Sequence, residues 1–294
     1  MVLTAGTFDG VHIGHRKILT RLKQVADEVG GETVLLTFDP HPRSVLQPDS
    51  PMKMLSTLEE KQVLLERFGL DHLIVHPFTK EFSRTSSLEF VRDLLVNALH
   101  VNKLVIGYDH HFGRNREGSF EHLKEFGPVY GFDVEEIEAL DVDHVNVSST
   151  KIRNALLEGD LQTASTYLSY DYTISGTVVH GKRLGRSIGF PTANLDVASH
   201  QKLIPGSGVY AVNCEVKGRP YHGMLNVGLN PTVNEDDQVR MEVNIFDFNE
   251  DIYGENVRVT FKHRIRDEQK FDSVEALRTR LEADRLAALH LLAG

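Results

Sequence analysis

Apolar residues follow two different rhythms along this chain. In the first half, short continuous apolar runs alternate with segments whose apolar positions recur every three or four residues. VLTAG at 2–6 precedes a glycine-rich turn, and Ile18, Leu19, Leu22, Val25, Ala26 and Val29 then repeat at helical spacing. TVLLTF at 33–38, HLIVHPF at 72–78 and KLVIGY at 103–108 read as strands, the first of them apolar enough to be covered on both faces. A loop and a further strand in VYGFDVEEI follow. Between these runs, TLEEKQVLLERFG opens on a capping box, Thr57 to Glu60, and stops at Gly69. A second box, Ser86 to Glu89, introduces a helix carrying Phe90, Leu94, Leu95 and Leu99. Strand–helix alternation of this kind predicts an α/β domain on a mainly parallel sheet.

Beyond about residue 170 the period becomes two. Tyr210, Val212, Cys214 and Val216 alternate with more polar neighbours. Val239, Met241, Val243 and Ile245 do the same against Arg240, Glu242 and Asn244, and Val257, Val259 and Phe261 follow the same rule. Alternating strands between Gly- and Pro-containing turns predict a closed antiparallel barrel. From Asp272 to about Leu292 the pattern is helical, with Val274, Leu277, Leu281, Leu286 and Leu289 as the stripe expected to pack on that barrel. The change of rhythm after the GDL turn divides the chain into domains 1–165 and 166–294.

Composition narrows the setting. The 294 residues are 40% hydrophobic and 25% charged, as in ordinary globular proteins. No run is long and apolar enough to cross a bilayer, and no secretion signal opens the chain, so a cytoplasmic protein without a membrane partner is expected. One cysteine, Cys214, excludes an intrachain disulfide framework and a multi-cysteine metal site; its alternating context predicts a buried structural thiol. A net charge of -10 argues against broad nucleic-acid affinity, while leaving local phosphate sites open.

The candidate chemistry begins in GTFDGVHIGH, residues 6–15. A turn entering a helix exposes unpaired amides that suit phosphate oxygens. Gly6 and Gly10 permit close backbone approach, Gly14 leaves room beside His15, and His12 and His15 can project towards one anion as cations or donors. Two rivals stand beside this reading: histidines that only cap and pack, and a metal site, although no HExxH or further ligand set accompanies them. A distant stretch, NVSSTKIRNALLEGD, supplies hydroxyls and amides at another helix start through Ser148, Ser149 and Thr150, with Lys151 and Arg153 for outer phosphates. An ordinary serine N-cap with solvent-facing cations explains that stretch equally well.

Together GTFDGVHIGH, TFDPHPR at 37–43, IGYDHHFGRNREG at 106–118 and VSSTKIR at 147–153 resemble the prokaryotic bifunctional riboflavin kinase/FAD synthetase family. The resemblance implies a Rossmann-like HxGH nucleotidyltransferase domain that joins FMN and ATP into FAD and pyrophosphate. It places His12 and His15 on the ATP phosphates within a loop of Gly6, Phe8, Asp9, Gly10 and Gly14. Ser148, Ser149, Thr150 and Arg153 form its second ATP-phosphate motif. Gly107, Asp109 and Arg114, with the His41–Pro42–Arg43 turn, would form the flavin side. Magnesium would bridge ATP oxygens, with Asp109 or Asp9 as candidate contacts through water. His110 departs from the aromatic common at its position.

In the second domain, GTVVHGKR nearly matches a P-loop, but Arg183 replaces the required hydroxyl and no amphipathic helix follows. Gly181, Gly185 and Gly189 space a loop bearing Lys182, Arg183 and Arg186, which reads either as a basic hairpin or as a phosphate flap. Thr192 and Asn194 offer oxygens to a hard cation, and Glu242 is a candidate general base, although an outward strand glutamate is usually only solvated. GKRLGRSIGFPTANL, GVY, NVGLNPT, MEVNIFDF and DIYGE are similar to the riboflavin kinase module of the same family. By that similarity Gly181, Lys182, Gly185 and Arg186 hold phosphates, Thr192 and Asn194 hold magnesium–ATP, and Glu242 activates the riboflavin 5′-hydroxyl. Arg266 closes over flavin or nucleotide, and Asn244 replaces a common histidine. The expected protein is a monomer or weak homo-oligomer making FMN and then FAD. Three rivals remain: a monofunctional FAD synthetase whose barrel only binds flavin, a non-catalytic flavin-binding regulator, and a nucleotidyltransferase acting on another phosphorylated substrate.

Overall fold

In the computed structural model all residues are described except 51, 109, 138–140, 143–144, 182–184, 186–187, 230–238 and 294. The chain divides into two compact units, Met1–Ser149 and Thr150–Gly294. Two helices, α6 (Ser149–Glu158) and α7 (Leu161–Leu168), lead into or fall in the second unit. There the Leu156 carbonyl accepts from Gly206 N at 2.9 Å, and a Cβ on Gly159 would lie 2.7 Å from the Arg264 side chain.

The first unit is built on a parallel sheet of β1 (Val2–Ala5), β2 (Thr33–Asp39), β3 (His72–Pro77), β4 (Lys103–Gly107) and β5 (Asp133–Ile137), in the order β3-β2-β1-β4-β5. The apolar runs are continuous because successive residues serve opposite faces. Leu3, Val34, Leu36, Leu104 and Ile106 join one core, while Val2, Leu35 and Val105 join the other. The helix α1 (Ile13–Val29) covers the second face through Leu19, Leu22, Val25 and Ala26. Truncating fully buried Leu35 to alanine should cost about 2–5 kcal/mol.

A short helix α2 (Pro42–Leu46) follows β2, and α3 (Leu58–Arg67) begins on the expected Thr57 capping box. The helix α4 starts as a single turn, Ser87–Glu89, also capped as expected, and continues as a π-helical stretch, Phe90–Ala98. Val129 and Tyr130 end a helix, α5 (Phe120–Tyr130), rather than opening the strand expected there. Gly127 and Pro128 disguised that helix in sequence. Gly127 sits where a Cβ would come 2.6 Å from the Phe132 carbonyl, and left-handed Gly131 turns the chain into β5. A two-stranded hairpin, β6 (Asp141–Val142) with β7 (Val145–Asn146), completes this unit.

In the second unit β8 (Thr173–Val179), β9 (Ala193–Asp196), β10 (Gly208–Val216), β11 (Arg219–Leu229), β12 (Val239–Ile245) and β13 (Asn256–Arg266) close an antiparallel barrel in the order β10-β11-β12-β9-β8-β13. Cys214 is 2% exposed, and burial pushes its thiol up to about 12, as a structural cysteine requires. The terminal helix α8 (Val274–Leu292) packs on the barrel, but only partly through the expected stripe. Val274, Leu286 and Leu289 are exposed, whereas Leu277, Leu281, Ala288 and Leu291 turn inward, together with Asp284 at 1% exposure. The inward set keeps three- and four-residue spacing throughout; the expected stripe jumps five residues after Leu281 and leaves the face. Among the described residues no helix is long and apolar enough to cross a membrane.

Candidate functional site

Strand order reverses between β1 and β4, the switch point where open parallel sheets leave a crevice beyond their carboxyl ends. Residues 6–15 leave β1 there, and Gly107 ends β4 beside them. The turn is held in an unusual shape: Phe8, Gly10 and Val11 have φ values of 46°, 78° and 37°. Left-handed conformations at two bulky residues persist only when surroundings over-determine them. Here the restraint is Asp9, 1% exposed, whose carboxylate accepts from Leu55 N at 3.0 and 3.1 Å and from Ser56 N at 3.1 Å. Ser56 Oγ in turn accepts from Gly10 N at 3.0 Å. Asp9 is thus an internal anchor of the turn, enclosed by protein donors rather than presented as a magnesium contact.

The imidazoles are stacked. His12 and His15 lie 3.7 Å apart between ring centroids at 18°, and Phe8 stacks on His15 at 4.5 Å and 24°. Parallel rings present faces to one another, so their nitrogens do not converge on one metal. Burial, reinforced by the charges of His12 and Lys61, pushes His15 well below its ordinary value. The shift favours the uncharged imidazole, which can still donate through one nitrogen. A Cβ on Gly14 would come 3.2 Å from the His12 ring, so this glycine makes room for His12 rather than for a ligand beside His15. Phe8, 3% exposed, supports His15 from beneath.

The distant serine motif reaches this turn: Ser149 Oγ donates to the Asp9 carbonyl at 3.1 Å. Ser148 is half-buried beside it, Thr150 is exposed, and Arg153 lies one helical turn onward in α6, 8% exposed. Lys61 is a member of the site that motif reasoning missed. It is 5% exposed and donates from Nζ to the Thr7 carbonyl at 2.7 Å; burial lowers its pKa, against the pull of Asp9 and Asp39. Its signal was present in α3, where Lys61 takes a place on the apolar stripe shared with Leu65 and Phe68.

The expected flavin-side residues meet more locally. His41 Nδ1 accepts from Arg43 N at 3.1 Å, capping α2, and Arg43 Nε donates to Gln47 at 3.0 Å. Arg114 N donates to the Thr85 carbonyl at 2.7 Å, while its guanidinium lies 4.0 Å from Glu117. That contact docks the loop after β4 onto the start of α4, where His76, Phe82, Arg84 and Phe90 line a cavity of about 530 Å³. Phe112 packs on Phe90 at 5.3 Å, and His110 stacks on Phe112 at 5.9 Å and 24°. Asp109 lies outside the described residues.

In the barrel, Val209, Met224, Asn226, Glu242 and Asn244 share one outer face by strand parity and register. This face is not solvated. It is roofed by α8 and by the segment after β13, enclosing a cavity of about 310 Å³. Gly185, Thr192, Glu242, Asn244 and Arg266, five residues singled out in sequence, line that one cavity with Glu268 and Phe271. Asn194 pairs with Glu242 in the β9–β12 register, and its amide fills the space at Gly181, where a Cβ would fall 2.0 Å away. Only glycine fits at 185, since a Cβ would lie 2.2 Å from the Phe190 carbonyl. Asn244, 6% exposed, donates from Nδ2 to the Pro191 carbonyl at 2.6 Å, fixing the turn that carries Thr192. Arg266 is not a free flap cation: three of its contacts go to Asp284. Lys182 and Arg186 lie outside the described residues.

Two family models match successive parts of the chain. The model described as FAD synthetase matches residues 1–151, and the model described as riboflavin kinase matches residues 168–292. The chain belongs to the bifunctional riboflavin kinase/FAD synthetase family. It is 41% identical over 284 residues to the bifunctional riboflavin kinase/FMN adenylyltransferase of Listeria monocytogenes, covering 96% of this chain and 90% of that one. The proteins of that name from Haemophilus influenzae, at 41% identity, and Escherichia coli, at 38%, are covered to 91% of their lengths, with 96% and 98% of this chain matched. A crystal structure from Streptococcus pneumoniae described as a macrolide-efflux protein is similar to this chain with TM-score 0.90 and 35% identity, covering 98% of this chain and 93% of that one.

Within the FAD synthetase unit, the His110 departure now has a physical reading. Burial, with His111 and Arg116 adding repulsion, pushes this imidazole down to about 4, so it serves as a neutral ring against Phe112. His15 is depressed in the same direction. Both groups take up protons more readily when unfolded, so stability present above the ordinary histidine value near 6.5 is lost as pH falls towards the folded values. The melting temperature should therefore drop between pH 7 and pH 5, and by less in His110→Phe. An equal drop in both proteins removes His110 from this account.

Proposed function

We propose that the barrel phosphorylates riboflavin with ATP and that the N-terminal unit then transfers an adenylyl group from a second ATP to FMN. The observation that carries this reading is that residues far apart in sequence close onto one place within each unit. Ser149 meets the Gly6–His15 turn, and Gly185, Thr192, Glu242 and Arg266 share one cavity.

In the first reaction Glu242 accepts the proton of the riboflavin 5′-hydroxyl as that oxygen attacks the γ-phosphorus of ATP. ADP leaves with the bond to the β–γ bridging oxygen broken. Thr192 and Asn194 offer a hydroxyl and an amide oxygen, a donor set that suits a hard divalent cation brought in on the triphosphate. Magnesium held there would offset charge on the phosphate oxygens. Asn244 keeps Thr192 in place through Pro191. Replacing Asn244 with alanine leaves that carbonyl unpaired, at about 1–3 kcal/mol, and is expected to raise the KM for ATP several-fold. An unchanged KM removes the positioning role.

In the second reaction an FMN phosphate oxygen attacks the α-phosphorus of ATP and pyrophosphate departs. That oxygen is already anionic at neutral pH, so the site needs alignment and charge stabilisation more than a base. His15 and His12 donate to the phosphates. Ser148, Ser149, Thr150 and Arg153 serve the departing oxygens, while Asp9 and Phe8 hold the turn in shape. The loop Gly107–Arg114, the His41–Arg43 turn and the aromatic row of Phe112 and Phe90 suit the flavin. We place the reactions in the cytoplasm, where ATP is made, in a chain acting as a monomer or weak homo-oligomer.

A product time course tests the reading. With riboflavin, ATP and magnesium, FMN and ADP should form first, then FAD and pyrophosphate. FAD formed only when FMN is supplied would leave a monofunctional synthetase, and flavin binding without turnover would leave a regulator.

A further inference from the structure

Asp284 stands on the inward face of α8, where its neighbours along the helix are Leu277, Leu281, Ala288 and Leu291. A lone carboxylate in that company is costly unless it is fully paired. Asp284 is 1% exposed, and Arg266 on β13 has a side chain 10% exposed. Arg266 Nε donates to Oδ1 at 3.0 Å and Oδ2 at 2.9 Å, and NH2 donates to Oδ2 at 2.7 Å. NH1 donates to the Asp267 carbonyl at 2.8 Å. The guanidinium also lies 5.7 Å from the Phe271 ring centroid. Arg280 adds a second guanidinium 3.1 Å from Oδ1.

We propose that Asp284 is a positioning residue of the barrel cavity: it fixes the plane of Arg266 in the cavity wall, and so makes the terminal helix part of the site for the flavin ring. The proposal rests on reading this cavity as the riboflavin kinase site. A fork engaged through Nε and both terminal nitrogens cannot turn about its own axis, and one N–H on each terminal nitrogen remains beyond these contacts. The cavity pairs this flat cation with apolar walls from Phe190, Met224, Phe271, Leu277 and Leu281. Asp284 is shared by Arg266 and Arg280, and Glu242 and Glu268 add negative charge to the cavity wall, so the site suits an uncharged planar ring with carbonyl acceptors better than a phosphate. The ligand class is therefore the isoalloxazine of riboflavin, with ATP phosphates held elsewhere along the cavity.

Docking of α8 alone does not require an ion pair, since a buried pair can often be replaced as a whole by apolar residues without loss of stability, whereas removing one partner is costly. That separates the two roles experimentally. Steady-state riboflavin phosphorylation is measured on full-length Asp284→Asn, Asp284→Leu, Arg266→Lys and the Arg266→Lys/Asp284→Asn pair, with FMN adenylylation in each preparation as an internal control. The KM for riboflavin should rise about tenfold in each single variant, with the KM for ATP and kcat within twofold. Asp284→Leu leaves the largely buried Arg266 guanidinium without its carboxylate and should also lower the melting temperature, by more than Asp284→Asn, which keeps an acceptor oxygen. The double variant should be no worse than its poorer parent, as expected for residues acting as one unit. An unchanged riboflavin KM in folded Asp284→Leu, additive losses in the double variant, or a rise confined to the KM for ATP overturns the proposal. If the parent chain makes no FMN at all, the kinase reading fails and takes the proposal with it. Normal FMN formation with an unchanged riboflavin KM removes the role of Asp284 alone.

Discussion

Glu242→Gln should lower riboflavin phosphorylation by about a hundredfold or more, the usual contribution of a positioned general base, while FMN adenylylation continues at its normal rate. Glutamine keeps the shape and the hydrogen-bonding capacity of the side chain but cannot accept the hydroxyl proton. Glu242 is half-buried, and its register partners on either side are Asn226 and Asn194, so the substitution disturbs no apolar packing. Measuring ADP release with riboflavin and pyrophosphate release with FMN on one preparation separates the two activities. A parallel loss of both would mean that the variant had damaged the chain as a whole, and a normal kinase rate would remove Glu242 from the proton transfer.

The mirror experiment is His15→Ala. It should depress FAD formation by about 10²–10³-fold, the loss typical when one preorganised donor to transition-state charge is removed, and leave FMN formation intact. The substitution takes the middle ring out of the Phe8–His15–His12 stack, so His12 loses its partner as well. His15→Asn isolates the donor: it retains a hydrogen-bonding group at reduced size and should recover part of the lost rate. FAD synthesis within a few-fold of normal in His15→Ala would sink the phosphate role of this turn and leave packing as its only purpose.

Both experiments probe residues that could be named before any coordinates existed, because their chemistry is local. Gly6–His15 and the serine stretch at 148–150 carry hydroxyls, imidazoles and glycines at fixed spacings, and Glu242 sits at a definite parity in an alternating strand. Other members of the sites had no such signature. Lys61 shows only a place on the apolar stripe of α3, and becomes a buried cation on the Thr7 carbonyl once α3 packs against the turn. Asp9 was one of two candidate magnesium contacts through water, yet Leu55 and Ser56 claim its oxygens from more than forty residues away. The outer barrel face bearing Glu242 read as solvated, and α8 covers it.

The sequence alone determined what depends on neighbours along the chain. Hydrophobic period separates the parallel α/β unit from the antiparallel barrel. Capping boxes at Thr57 and Ser86 start their helices where expected, and the motif residues carry the right functional groups. Tertiary structure alone decided matters that turn on burial and on partners distant in sequence. It set which face of α8 turns inward, that burial depresses the His15 imidazole, that Ser149 reaches Asp9, and that Arg266 is bound to Asp284. The physical reason is that periodicity reports one element's own geometry. Desolvation and hydrogen-bond partners belong to pairs of elements, and those exist only once the chain has folded.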